Sequence, residues 1–330
     1  MSSGGSIPYH LRQHKAVERN LFIELLRKLN NYINISDYVY IGFGGPFLED
    51  FKQLHTALKI SKMISLEMDD NVHIRQKFNM PISCVDIGDE PENSGEFITR
   101  YDFEEPSLIW LDYAIPKDLN KQLNEIANMI SKLKPKDIFK ITLNATPDSL
   151  GRDYTSPDPK PFRLEKLKSR LTEDYCPVNL EVDDVTFKRY PAVLLKALQR
   201  AINVGLAGRR DIQIQPLATF IYKDGQQMIT FTGLVLPNNE EDKELFFTKS
   251  RIQAWPFFDG NWDTIRNISV PTMSLRERMF VEERLPFGTE QHIKDQLGFY
   301  LGEDEDEASE NLQNFIEYYK VVPWYSKVLF

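Results

Sequence analysis

The chain predicts an α/β protein: a doubly wound, mainly parallel sheet closed by an antiparallel hairpin, with a helix in front and an extension behind. Three observations carry this. Short apolar runs alternate with stretches of helical periodicity over residues 36–144. Several runs end in a polar residue, as strand tips do where open α/β sheets bind ligands. Asp224-Gly225 then joins two long β-rich runs, a strong antiparallel signal.

In order, residues 11–29 read as a helix through Ala16, Leu21, Leu25, Leu26 and Leu29. Tyr38-Val39-Tyr40-Ile41 is the first strand, entering a glycine cluster at Gly42, Gly44 and Gly45. Residues 47–58 form a helix by the spacing of Phe47, Phe51, Leu54 and Leu58, and Met63-Ile64-Ser65-Leu66 is the second strand, ending in Glu67-Met68-Asp69-Asp70. A helix over 71–78 precedes a third strand, Ile82-Ser83-Cys84-Val85, ending in Asp86. The fourth strand, 107–111, ends in Asp112; the fifth, 138–143, ends in Asn144. Between them Leu119, Leu123, Ile126, Ile130 and Leu133 make an amphipathic helix. Prolines 157, 159 and 161 open an insertion, a helix resumes over about 192–204, and the hairpin pairs 212–222 with 228–236. Beyond Pro237, residues 238–242 read as a solvated turn, Trp255 to Trp262 as aromatic core or interface, 303–307 as an acidic loop and 308–319 as a helix. The expected domains are a helical segment 1–35, a Rossmann-like domain 36–237 with an insertion at 151–190, and an extension 238–330.

The 330 residues hold 42% hydrophobic and 27% charged side chains, enough apolar material for a large core. A net charge of −9 argues against a broad grip on nucleic acid. Two cysteines, Cys84 and Cys176, make neither a disulfide framework nor a zinc site. No apolar stretch approaches the ~20 residues of a membrane span, and residues 1–15 lack a signal-peptide core, so a reducing, cytoplasmic setting is expected. Of the five histidines only His10 and His14 share a metal-like spacing, without HExxH context, and no metal is expected.

The strand, glycine turn, helix, strand and acidic tip of residues 37–70 place backbone N–H groups and a carboxylate at one sheet edge, where an adenosine-containing cofactor can bind. Glycines let a backbone approach a ligand, though a tight turn alone explains them too. Glu67 suits the two hydroxyls of a ribose, and Asp70 suits the cap of the next helix. Asp112 can orient or deprotonate an acceptor, Tyr113 can stack on a substrate or on a sulfonium, and both also fit a turn ahead of Pro116. Asn144, Thr146 and Asp148 read first as turn residues and second as lining of an acceptor pocket at the fifth strand end. Arg12, Lys15 and Arg19 share a helix face that reads first as solvated, second as a contact for a cofactor carboxylate.

Strand-helix units closed by an antiparallel hairpin resemble the class I S-adenosylmethionine-dependent methyltransferases over residues 10–237, and the text from Pro8 to Phe22 is similar to bacterial proteins grouped as O-methyltransferases. The resemblance implies that Ile41 to Gly45 passes under the cofactor, that Glu67, or Asp69, binds the ribose, and that Asp86, with Asp89 as alternate, faces the adenine. Residues 111–116, LDYAIP, are similar to the fourth-strand motif of amino methyltransferases but lack its paired prolines, and Tyr40 stands where the family carries an acidic residue, a gap Lys15 would compensate. The expected activity is methyl transfer from S-adenosylmethionine to oxygen or nitrogen of a small-molecule, nucleotide or protein acceptor. A degenerate binding or scaffold protein is the alternative. Homo-oligomers and hetero-complexes both stay open. An NAD-dependent oxidoreductase is disfavoured by the closing hairpin.

Overall fold

The computed structural model describes residues 12–324. The expected helix start at Leu11, His10 and Tyr325 lie outside them. The parallel strands are β1 (Val39–Gly42), β2 (Lys62–Ser65), β3 (Val85–Asp86), β4 (Ser107–Asp112) and β5 (Ile138–Asn144). The hairpin is β6 (Ile212–Asp224) and β7 (Gln226–Pro237), and a short strand β8 (Arg266–Ile268) adds to its edge. They form one sheet in the order 3-2-1-4-5-7-6-8, with β7 antiparallel to both β5 and β6 and β8 parallel to β6.

Strand alternation sorts the core into two layers. Tyr38, Tyr40, Leu108, Trp110 and Ile138 face α1 (Gln13–Leu29) and α2 (Glu49–Leu58). The same layer takes Phe246 from α8 (Glu240–Ser250) and Phe315 and Tyr318 from the last helix. Val39, Ile41, Ile109, Leu111, Phe139 and Ile141 face the other layer. There α4 (Ser94–Arg100), α5 (Leu119–Lys132), α6 (Lys160–Arg170) and α7 (Tyr190–Gly205) supply Phe97, Ile126, Leu167 and Leu198. Helix α3 (Asp70–Asn79) sits beside the loop after β1.

Several expected boundaries move. The third strand shrinks to Val85–Asp86, which pair with Met63 and Ile64 of β2. The hairpin strands run to Asp224 and from Gln226, leaving Gly225 (φ 99°) to make the turn. Residues 238–242 are not a loop: Asn239 caps α8 by accepting from the Asp242 N–H, and the acidic residues fill its first turn, where the helix dipole favours them. The acidic stretch at 303–307 does the same for the final helix, α11 (Glu305–Tyr318), with Asp304 as cap. Between them lie α9 (Leu275–Glu282) and α10 (Glu290–Leu297). The aromatic segment is core: Phe257 stacks on Tyr318 at 5.3 Å and Trp262 on Phe231 at 4.4 Å.

Candidate functional site

Register brings the expected tips to one edge. Gly42 lies opposite Ser65 of β2 and Trp110 of β4, Ile64 lies opposite Asp86, and Asp112 lies opposite Thr142 of β5. Neighbouring strands stand about 4.8 Å apart, so Asp86, Glu67, the glycine loop and Asp112 follow one another along the carboxyl edge.

The glycines of the loop answer first to the chain's own packing. A Cβ on Gly44 would stand 2.2 Å from Leu48 Cδ2 and 2.8 Å from Ser65 Oγ, and one on Gly42 would stand 2.7 Å from the Tyr40 hydroxyl. Gly45 has φ 51°, a backbone that favours glycine. The Gln76 amide of α3 donates to the Gly45 carbonyl (2.9 Å), and Asn79 donates to that of Pro46 (2.7 Å), so α3 holds the loop.

Glu67 Oε1 accepts from the Asp69 N–H at 2.9 Å. Burial pushes its carboxyl up, against hydrogen bonds from the N–H groups of Asp69 and Met68. Asp69, not Asp70, caps α3, accepting from the Val72 N–H at 2.9 Å. Asp86 is exposed and accepts from the Gly88 N–H at 2.8 Å. On α3, His73 is only 4% exposed, yet neither ring nitrogen has a hydrogen-bond partner.

The largest departure concerns α1. Its basic residues are not a solvated face: Lys15 and Arg19 are 7% and 3% exposed. Lys15 Nζ and Arg19 Nη2 each lie 3.6 Å from Asp112 Oδ2. Arg19 Nε donates to Asp50 Oδ1 of α2 at 2.9 Å, and its guanidinium covers the Trp110 ring at 4.6 Å. One turn of α1 brings Glu18 to Lys140 of β5, 2.5 Å apart. That ammonium is wholly buried, 4.0 Å from the Phe22 ring centroid and 3.8 Å from that of Trp110. Asp224, at the hairpin end, accepts from the Lys15 N–H (2.6 Å) and pairs with His14 Nδ1 (2.9 Å).

These neighbours set the charges. Burial pushes Asp112 up, but Lys15, Arg19, Lys140 and a Thr142 hydrogen bond bring it below its ordinary range, so it is a carboxylate at neutral pH. Burial, then the Arg19 charge, push Lys15 down to about 8. Burial likewise takes Lys140 to about 8, against Glu18. Asp112, 17% exposed, is the most open carboxylate against the two α1 cations and can accept a proton or orient a hydroxyl.

Tyr113 points elsewhere. Its hydroxyl donates to Glu125 Oε2 of α5 at 2.7 Å, and its ring meets Phe43 of the glycine loop edge-on at 5.6 Å. Asn144, Thr146 and Asp148 keep the turn role: Asn144 bonds the Thr146 N–H and Gln226, Thr146 takes the Gln227 N–H, and Asp148 pairs with Arg163. Sequence reasoning missed Glu18, Asp50, Lys140, Asp224 and His73. One signal was present: a lysine at the centre of an apolar strand, IFKITL, demands a buried partner. Among the described residues no group of three or more His, Cys, Asp or Glu is arranged to hold a metal ion, and no helix is long and apolar enough to cross a membrane.

A parallel sheet ordered 3-2-1-4-5 and closed by an antiparallel β7-β6 pair, with carboxylates at its tips, is the class I methyltransferase architecture. The chain belongs to the family described as "Putative O-methyltransferase", which it matches over residues 7–330, and the family description leaves the acceptor unspecified. No curated protein matches it. Among solved structures, it is similar to the O-methyltransferase TomG from Streptomyces achromogenes, involved in tomaymycin synthesis and solved with S-adenosylmethionine (13% identity, TM-score 0.36, 66% of this chain and 79% of that one). It is also similar to an O-methyltransferase from Bacillus cereus in complex with S-adenosylhomocysteine (13%, 0.34, 70% and 94%) and to Trm1 from Pyrococcus horikoshii with S-adenosylmethionine (11%, 0.43, 70% and 57%).

Proposed function

We propose that this protein is an S-adenosylmethionine-dependent O-methyltransferase whose cofactor lies across the carboxyl ends of β3, β2, β1 and β4. The single observation that carries this is the alignment of Asp86, Glu67, the loop Gly42–Gly45 and Asp112 on adjacent strands. The donor set fits the group. Glu67 uses two acceptor positions on the N–H groups of Met68 and Asp69, and a carboxylate offers about four. It would take the ribose hydroxyls, Asp86 the adenine amine, and Lys15, backed by Arg19, the cofactor carboxylate. When bound, the cofactor supplies an electrophilic methyl group. Asp112 orients the acceptor hydroxyl and receives its proton, since in-line transfer depends mainly on placement. Asp69 serves as the α3 cap beside Glu67, and Tyr113 serves the loop through Phe43 rather than the acceptor.

The acceptor enters near the loop after β4. Arg170 of the insertion donates to the carbonyls of Pro116 and Ser149 (3.3 and 3.0 Å), which supports the insertion as one wall. A hydroxylated small molecule, nucleotide or protein side chain in the cytoplasm is the acceptor class. A scaffold without turnover is the second reading, favoured by the pairing of Lys15 and Arg19 with Asp112, which balances the site internally.

Titration calorimetry with S-adenosylhomocysteine tests this. The expected result is saturable binding in the micromolar range, weakened about ten-fold or more by Glu67→Gln through loss of a charged acceptor. No heat at millimolar ligand overturns the proposal. Binding without transfer of label from methyl-labelled cofactor to any of a panel of hydroxylated acceptors selects the scaffold.

A further inference from the structure

Helix α3 carries a buried side chain that nothing above employs. His73 is 4% exposed and both its ring nitrogens lack a hydrogen-bond partner. Buried polar groups are nearly always paired, so an orphaned imidazole needs a reason. Its position gives one. His73 and Gln76 are the buried residues of α3 and lie on one face, three positions apart. Gln76 marks where that face points: its amide donates to the Gly45 carbonyl at 2.9 Å and it accepts from Ser65 Oγ at 3.1 Å. His73 lies one turn nearer the helix start, and side chains on a helix lean toward that end. That end is the Asp69 cap, whose N–H holds the Glu67 carboxylate. The imidazole is thereby directed from the side of the glycine loop toward the Asp69 cap and the β2 tip. It is close enough to act on the Glu67 carboxyl, after burial, the backbone hydrogen bonds and Asp69.

We propose that His73 is a second polar ligand of the nucleoside, sharing ribose recognition with Glu67. The assignment rests on the cofactor reading above and adds a residue to it. An imidazole offers a ring N–H donor, which matches a hydroxyl that donates to Glu67 and still needs a donor of its own. A carboxylate alone cannot supply that donor.

His73→Phe keeps the ring and removes both nitrogens. Its urea midpoint without ligand should equal or exceed that of the wild type, because two unpaired polar atoms leave the interior. Its Kd for adenosine and for S-adenosylhomocysteine should each rise about ten-fold. His73→Asn, which keeps a polar atom near the Nδ1 position, should recover part of that loss and decides the matter if the phenylalanine variant does not fold. Wild-type affinity for S-adenosylhomocysteine in both variants overturns the role of His73 and leaves the cofactor reading standing. A wild-type protein that binds neither compound overturns both.

Discussion

Asp112 sits where two demands meet. It is held ionised by Lys15 and Arg19, each at 3.6 Å, and it stays 17% exposed at the end of β4. A carboxylate in that state can hold and orient an acceptor hydroxyl, and take its proton as the hydroxyl acidifies during methyl transfer. Asp112→Asn should therefore lower kcat about 10²–10⁴-fold, the range of general-base catalysis, with a much smaller change in the Kd of S-adenosylhomocysteine. Parallel single-turnover and calorimetric measurements check the split; an equal fall in both would make Asp112 a binding residue only. At this scale the sequence named Asp112 and Lys15 separately, because polar residues at strand tips and on a helix face are local signals. Their contact was hidden. Lys15 and Arg19 looked solvated because the carboxylates that neutralise them, Asp50 and Asp112, lie 31 or more positions away.

Helix α1 behaves as a charged strap over the sheet. His14, Lys15, Glu18 and Arg19 lie within a turn and a half, and each meets a partner on α2 or on strands β4 to β6. Glu18 and Lys140 are the deepest pair, and breaking one partner of such a pair leaves an uncompensated charge. Lys140→Met should cost about 3–5 kcal/mol in urea unfolding, and the double variant Glu18→Met/Lys140→Met should recover much of it. The strap also has a pH signature. Lys15 and Lys140 titrate near 8 when folded, against an ordinary 10.5. Between those values the unfolded chain binds more protons, so stability rises with pH from about 8 toward 10. The buried Tyr38 and Tyr190, pushed well above their ordinary value, reverse the trend above pH 10. Urea midpoints at pH 7.5 and 9.5 should show a gain at the higher pH that shrinks in the Lys140→Met/Glu18→Met protein. Long periodic elements such as α5 were legible from spacing alone. Short ones were not: α4 contains Gly95 and owes its place to Phe97 and Ile98 entering the core, and β8 exists only because β6 offers an edge.

Across the whole molecule, the segment after Pro237 is continuous with the rest. Strand β8 pairs with β6, and Phe246, Ile252, Trp255, Phe257, Phe315 and Tyr318 share one core with α1, Tyr40 and Trp110. The Trp255 indole donates to Glu24 of α1 at 3.2 Å, and Asn20 of α1 donates to the Val321 carbonyl at 2.8 Å. Truncation after Pro237 would uncover that layer and release the strap. The shortened chain should aggregate or show no cooperative unfolding by circular dichroism. A truncated protein that melts sharply and binds S-adenosylhomocysteine like the full chain would make the segment an independent addition.

The sequence by itself determined the order of the strands from β1 to β7, the longer helices among them, the closing hairpin and the polar identity of each tip, because periodicity and turn chemistry act over a few residues. Only the tertiary structure decided that Lys15 and Arg19 turn inward, that Lys140 meets Glu18, that Tyr113 turns toward Glu125 and that His73 is left unpaired. Each of those depends on which distant side chain comes within hydrogen-bond reach once the sheet has closed, and no local pattern encodes that distance.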